Sequence, residues 1–338
     1  MRKMFVLYAA IAVCLGAIAV ATLVARGQPH STTWNVGIGG ESAGHGVQAN
    51  AYEPVTITIR AGDTVTWTMA SFYAHTVTFL SGSPRPPVII PQEDGGLEFS
   101  PQVLLPQGDS TYDGRGVASS GLLEGRGKSF SLTFTNPGQY VYVCLLHPGQ
   151  AGAVVVMPRG GKLPYTQAQY DTMAAAQVSR TIAQGEAAMA SAKVEVEKTG
   201  KGTIYTLSLI ASPTGPAAID RFSPESLRVK VGDTVRWVMK DPTEGHTVTF
   251  SGTPLLPDFQ KEEAQAQGPP RVFFNLKAVA PAGGRTHAAG PYYNSGLMTV
   301  GVPGTVQSYS LTFTKPGTYT YWCLMHVAQG MKGTIVVR

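Results

Sequence analysis

The residues able to do chemistry fall into two sets with the same composition and order. His75 lies 69 positions ahead of Cys144, and His147 follows that cysteine at Cys-x-x-His spacing. His246 lies 77 positions ahead of Cys323, and His326 follows in the same way. Two imidazoles and one thiolate in a roughly trigonal plane form the blue-copper arrangement, in which a soft, covalent sulfur ligand suits both oxidation states of the metal. The spacing has a mechanical reason. The first histidine rides on one strand, the cysteine ends another, and the short loop after it brings the second histidine back to the same point. A disulfide between Cys144 and Cys323 is the bland reading for two cysteines of an exported chain, but it leaves the repeated histidines unexplained. The third cysteine, Cys14, lies in an apolar N-terminal run.

The elements that must position these residues recur as well. AGDTVTW (61–67) matches VGDTVRW (231–237), and HTVTF occurs at 75–79 and 246–250. SLTFTNPGQY from Ser131 matches SLTFTKPGTY from Ser310, VYVCLLH matches TYWCLMH, and GAVVV from Gly152 matches GTIVV from Gly333. Five blocks in one order mark a duplicated domain. Their alternation of polar and apolar residues is that of half-buried strands. Gly62-Asp63, Gly232-Asp233 and the Pro-Gly pairs at 137–138 and 316–317 supply turns. The pattern predicts an all-β fold of two antiparallel sandwiches, with Trp67 and Trp237 in their cores and Tyr140 and Tyr319 bracing the corners. Between the first histidine and the cysteine each half carries a long Pro-rich excursion, read either as a flap that shapes recognition or as scaffold. The expected division is a membrane segment or signal over 1–27, a first domain over 28–160, a linker over 161–200 and a second domain over 201–338. The linker is rich in Ala, Gln and Met and lacks Pro from Thr166 to Lys193, which predicts a helix capped by Thr166 and weakened by Gly185.

On these motifs the chain resembles the cupredoxin family of plastocyanin, amicyanin and azurin, twice over. The resemblance implies two tandem Greek-key β-sandwich domains, each holding one copper ion. It also implies a weak fourth ligand. In the second half Met331 stands eight residues after Cys323, the plastocyanin-like spacing. In the first half the loop is shorter, as in amicyanin, and Gln150 stands six residues after Cys144 where that family has methionine. Stellacyanin-like proteins use an axial glutamine, so Gln150 is the candidate there. A harder oxygen ligand favours Cu(II), which predicts a lower reduction potential for the first site than for the second. In this family the second histidine's ring edge reaches the surface as the electron port. Here Leu145, Leu146 and Pro148 flank His147, and Leu324, Met325 and Val327 flank His326.

Arg2 and Lys3 precede an uncharged stretch from Met4 to Ala25, long enough to cross a bilayer. The basic flank places the remainder on the periplasmic or extracellular side, either anchored or released after cleavage near Ala19-Val20-Ala21. Residues 28–160 carry 6 basic and 9 acidic residues and residues 201–338 carry 13 and 8, scattered without a run that would follow a phosphate backbone. Nucleic acid is therefore excluded as a partner class. The expected function is a relay of single electrons between redox proteins, such as cytochromes or a membrane oxidoreductase, and no residue is assigned a catalytic role. Two other classes compete. A nitrite reductase or multicopper oxidase needs a further copper, but no His-x-His occurs and only His30, His45 and His287 remain to build one. A copper store or carrier needs Met-rich or His-rich clusters, which are absent from the sequence.

Overall fold

The computed structural model describes residues 31–338, apart from 214, 254, 289–291 and 303. The expected membrane segment over 1–27 lies outside the described residues, and among these no helix is long and apolar enough to cross a membrane.

Each half is a two-layered β-sandwich. In the first, one sheet runs Val47–Glu53, Thr33–Glu41, Thr64–Met69, Ser129–Phe134, Thr111–Tyr112. The other runs Thr56–Arg60, Ala151–Met157, Gly138–Val143, Thr78–Phe79, Ala118–Ser119. The second half repeats this plan from Glu195, ahead of the boundary expected at 201: Glu195–Thr199, Gly202–Leu209, Thr234–Met239, Ser308–Phe313, Thr286–His287 against Ser226–Val229, Lys332–Val337, Gly317–Trp322, Thr249–Ser251, Tyr292–Asn294. The sandwiches are mixed rather than purely antiparallel, because Thr33–Glu41 pairs in parallel with Thr64–Met69 and Gly202–Leu209 with Thr234–Met239. In each half the strand just before the second member of the pair, Thr56–Arg60 or Ser226–Val229, belongs to the opposite sheet.

The alternation read from sequence decides which side chains turn inward. Val65, Trp67 and Met69 are buried, as are Val235, Trp237 and Met239, while the residues between them are half-buried. Trp67 packs edge-on to Tyr142 at 5.2 Å between centroids, and Trp237 to Tyr321 at the same 5.2 Å. Removing such a ring leaves a cavity that the rigid sheets cannot close. Trp237→Ala is therefore expected to cost about 3–5 kcal/mol of stability. A urea titration checks this, and an unshifted midpoint would place the ring outside the core.

The Gly-Asp turns do more than reverse the chain. Gly62 and Gly232 adopt φ of 96° and 92°, which favours glycine. Asp63 then accepts from Thr32 N (2.9 Å), Arg60 N (2.9 Å) and Trp34 Nε1 (3.0 Å). Asp233 accepts from Thr203 N (2.8 Å) and Lys230 N (2.8 Å), tying the entry strand to the turn in both halves. The corner tyrosines donate back across their turns, Tyr140 to Asn136 O at 3.0 Å and Tyr319 to Lys315 O at 2.9 Å.

The halves are joined more closely than a spacer would require. The helix Gln167–Ser191 begins in a capping box between Thr166 and Gln169 and lies on the strands Thr33–Glu41 and Val47–Glu53. Gly185 is needed for that approach, since a Cβ there would stand 2.3 Å from Val47 Cγ1. After the helix, Ala217–Ile219 adds itself to the first half's sheet beside Val47–Glu53. The Pro-rich excursions meet as well. Ile89–Pro91 and Leu97–Phe99 from one half form a four-stranded sheet with Gln260–Glu263 and Arg271–Phe274 from the other. Arg271 closes it on Glu98 at 2.6 Å, and Phe99 stacks on Phe274 at 5.3 Å.

One buried group in the first sandwich is poorly matched to its surroundings. Glu53 is 2% exposed and neither carboxylate oxygen has a hydrogen-bond partner. Burial raises its pKa from 4.5 to about 8. The folded state therefore holds a proton that the unfolded chain releases. The stability this group contributes is complete below pH 4.5 and is lost as pH rises to about 8. The limiting slope is about 1.4 kcal/mol per pH unit. Glu53→Gln is expected to flatten that part of the stability profile and to be the more stable form at alkaline pH. Parallel profiles for the two proteins would contradict the assignment.

Candidate metal centres

In the first half His75 forms an isolated bridge to Leu123, three residues before the strand Thr78–Phe79, and Cys144 directly follows the strand Gly138–Val143. The next residues turn back, with Cys144 N donating to Gln150 O at 3.0 Å. This brings four donor atoms together. His147 Nδ1 lies 3.0 Å from His75 Nδ1 and 3.5 Å from Cys144 Sγ. Gln150 Oε1 lies 3.0 Å from His75 Nδ1 and 3.1 Å from His147 Nδ1. All four residues are buried.

The second half builds the same triangle. Cys323 Sγ stands 3.8 Å from His246 Nδ1 and 3.4 Å from His326 Nδ1. Cys323 N donates to Met331 O at 3.1 Å, and Met331 N to His326 O at 3.0 Å. Met331 is fully buried at the base of this loop. Among the described residues, these two His-Cys-His groups are the only clusters of three or more such side chains whose ligand atoms gather within 4.8 Å. Cys144 and Cys323 are both free and sit in separate clusters, so the disulfide is ruled out.

The surroundings hold each set in place. Thr76 N points at Cys144 Sγ and Thr247 N at Cys323 Sγ, both at 3.4 Å. The hydroxyls of the same threonines accept from Leu145 N and Leu324 N at 2.8 Å, locking the residue after each cysteine. Burial alone raises a thiol pKa. At Cys144 the adjoining His147 and His75 outweigh that, and at Cys323 His326 and His246 do so, so both sulfurs are held well below the ordinary thiol range. Lone pairs of two nitrogens and a thiolate converging in a dry pocket fit copper by donor type and number. The amide oxygen of Gln150 adds a fourth donor in the first site.

The expected surface port is not what the fold provides. His147 and His326 are only 6% and 3% exposed, because each ring edge faces the other half. His147 Nε2 meets Glu244 Oε1 at 3.1 Å. The His326 ring lies 6.0 Å from that of Tyr73, and its Nδ1 lies 3.4 Å from Asp220 Oδ1. Of the flanking residues, Leu145 and Leu324 are buried, and Pro148 and Val327 remain exposed. Glu244, Asp220 and Tyr73 were not found from sequence. The available signal was positional: Glu244 stands two residues before His246, as Tyr73 does before His75.

Among the described residues, the residual histidines do not assemble a third centre. His45 pairs with Glu41 at 2.9 Å. His287 is buried among Phe250, Tyr293, Phe313 and Tyr319 at ring distances of 4.4–5.4 Å. His30 lies outside the described residues.

Comparison with known proteins agrees with the duplicated site. The family model for copper binding proteins of the plastocyanin/azurin family matches residues 41–157 and again 216–338. Plastocyanin from Scenedesmus fuscus is 31% identical over 119 residues, which are 35% of this chain and 86% of that protein. A copper-containing nitrite reductase of Neisseria meningitidis is 33% identical over 135 residues, 37% of this chain but only 34% of the enzyme's length. Among solved structures, a reduced Cu(I) amicyanin is 26% identical, with 37% of this chain and 82% of that one covered at a TM-score of 0.24.

Proposed function

The chain belongs to the plastocyanin/azurin family of copper-binding proteins, and from that premise we propose that it is an electron-transfer protein with two type 1 copper sites. The observation that carries this reading is the pair of buried His-Cys-His triangles, one in each half. His75, Cys144, His147 and Gln150 are the ligands of the first, and His246, Cys323, His326 and Met331 those of the second. When bound, copper supplies one reversible electron per site. The protein's part is to hold the ligands in a dry, stiff cradle. The threonine-to-cysteine-loop contacts fix the sulfur, the sandwich fixes the first histidine, and neither must move when the charge changes.

We place the protein outside the cytoplasm at the membrane face, held by residues 1–27, with cytochromes or a membrane oxidoreductase as partners. The matched nitrite reductases favour a second reading, a copper oxidoreductase. The described histidines weigh against it, since His45 and His287 are each engaged elsewhere. Copper-loaded protein mixed with reduced cytochrome c is expected to take up two electrons per chain and to give them back to an oxidant unchanged. Sustained consumption of nitrite by the reduced protein would overturn the carrier reading in favour of the enzyme.

A further inference from the structure

The two metal centres face one another across the seam between the halves, and the same position of the repeat reaches over from each side. Glu244, two residues before His246, extends from the second half into the first. Its Oε1 meets His147 Nε2 at 3.1 Å and accepts from Gln48 Nε2 at 3.0 Å and Asn50 Nδ2 at 2.9 Å. Tyr73, two residues before His75, extends the other way. Its hydroxyl donates a short bond to Asp220 Oδ2, and Asp220 Oδ1 lies 3.4 Å from His326 Nδ1. Asp220 is fully buried, Tyr73 is 6% exposed, and the Glu244 side chain is 6% exposed.

These contacts differ from ordinary seam packing in where they end. Each begins on the short chain segment that carries one site's first histidine and finishes on the second histidine of the opposite site. That second imidazole is the ring through which the ligand set meets its surroundings, and here those surroundings are the other ligand set. Charged and polar groups are expensive to bury unless paired, yet the seam spends a carboxylate at each crossing. It also holds them rigidly. Gln48 and Asn50 come from the strand Val47–Glu53, whose edge is paired with Ala217–Ile219, and Asp220 follows directly on that strand. The backbone N–H of Asp220 donates to Gly46 O at 3.0 Å.

We propose that the two copper sites form an intramolecular redox pair, coupled through Glu244 on one side and through Tyr73 with Asp220 on the other. This rests on the two-copper reading above. With copper held by both ligand sets, the exchange would carry one electron from the reduced site to the oxidised one, so that one site is oxidised as the other is reduced. No bond is made or broken, and no proton need move. The Glu244 bridge ends in a close polar contact with His147 Nε2, and on the other side Asp220 Oδ1 stands 3.4 Å from His326 Nδ1, the nitrogen that also faces Cys323 Sγ; both routes run through bonded and packed protein rather than through solvent.

The test uses the full chain loaded with two copper ions per protein, as verified by metal analysis and EPR. A pulse of solvated or radical electrons delivers less than one electron per chain, and redistribution between the centres is followed optically. The expected result is a first-order phase whose rate does not change with protein concentration. Glu244→Leu slows it severalfold, Glu244→Gln retains most of it, and Tyr73→Phe slows it by breaking the second bridge. To keep the test independent of how any variant folds, the unaltered oxidised protein is also measured by pulsed dipolar EPR, where a Cu(II)–Cu(II) coupling is expected. Two blue centres with neither a concentration-independent phase nor a dipolar coupling would overturn the pair and leave the carrier reading standing. Equal rates in Glu244→Leu, Tyr73→Phe and the parent would overturn the assigned bridges. A single bound copper would overturn both the two-site reading and the pair.

Discussion

Replacing Cys144 or Cys323 by serine is expected to remove about half of the intense thiolate-to-copper absorption, and the double variant is expected to be colourless. The effect is large because the colour arises from the sulfur–copper bond alone. A hydroxyl cannot supply that covalency, and at this depth it is a far weaker ligand than a thiol whose pKa two histidines hold well below the ordinary range. The folds should survive, since serine is slightly smaller than cysteine and the Thr76 and Thr247 backbone donors can still point at it. The check is a visible spectrum with metal analysis for each variant. Loss of all colour in one single variant would mean that the other half never forms a blue centre.

The second large effect concerns Gln150. Its amide oxygen lies at 3.0 and 3.1 Å from the two imidazole nitrogens that define the first site. The corresponding loop of the second half is longer and ends at Met331. An oxygen donor stabilises the more highly charged Cu(II), whereas a thioether does so less. The first site is therefore expected to have the lower potential, so that electrons settle in the second. Gln150→Met should raise the first potential and close most of the gap, leaving the second unmoved. Potentiometric titration of the two bands checks this. A potential that stays in place would show that the amide oxygen does not reach the metal.

The two His-Cys-His groups were legible in the sequence because they are repeated. A lone Cys-x-x-His is ambiguous, but the same motif twice, each with an upstream histidine inside HTVTF and a Gly-Asp turn, leaves little freedom. The core was legible for the same reason: Trp67 and Trp237 sit at matching points of matching alternations. What the repeat could not reveal is how one half meets the other. Glu244 and Tyr73 occupy the same repeat position yet differ in chemistry, so comparing the halves makes them look like free variation. Their role depends on a seam that exists only after folding. Asp220 precedes the second set of motifs altogether. The joint sheet was hidden for another reason. The strand Gln260–Glu263 is exposed at every residue, and Ile89–Pro91 is three residues long, so neither carries a burial pattern to read.

The seam also explains why the expected surface port was misplaced. The apolar flanks of His147 and His326 suggested a patch that a partner would touch. In the folded chain that patch is partly consumed by the protein's own second copy of the domain, and Leu145 and Leu324 are buried.

The most direct measurement is the number of copper ions bound per chain, taken together with the EPR spectrum of the Cu(II)-loaded protein. Two coppers per chain are predicted, both with the narrow hyperfine splitting of a thiolate-bound centre and both contributing to the visible band. One blue copper, or a second copper with wide hyperfine splitting, would contradict the claim that each half builds its own type 1 site.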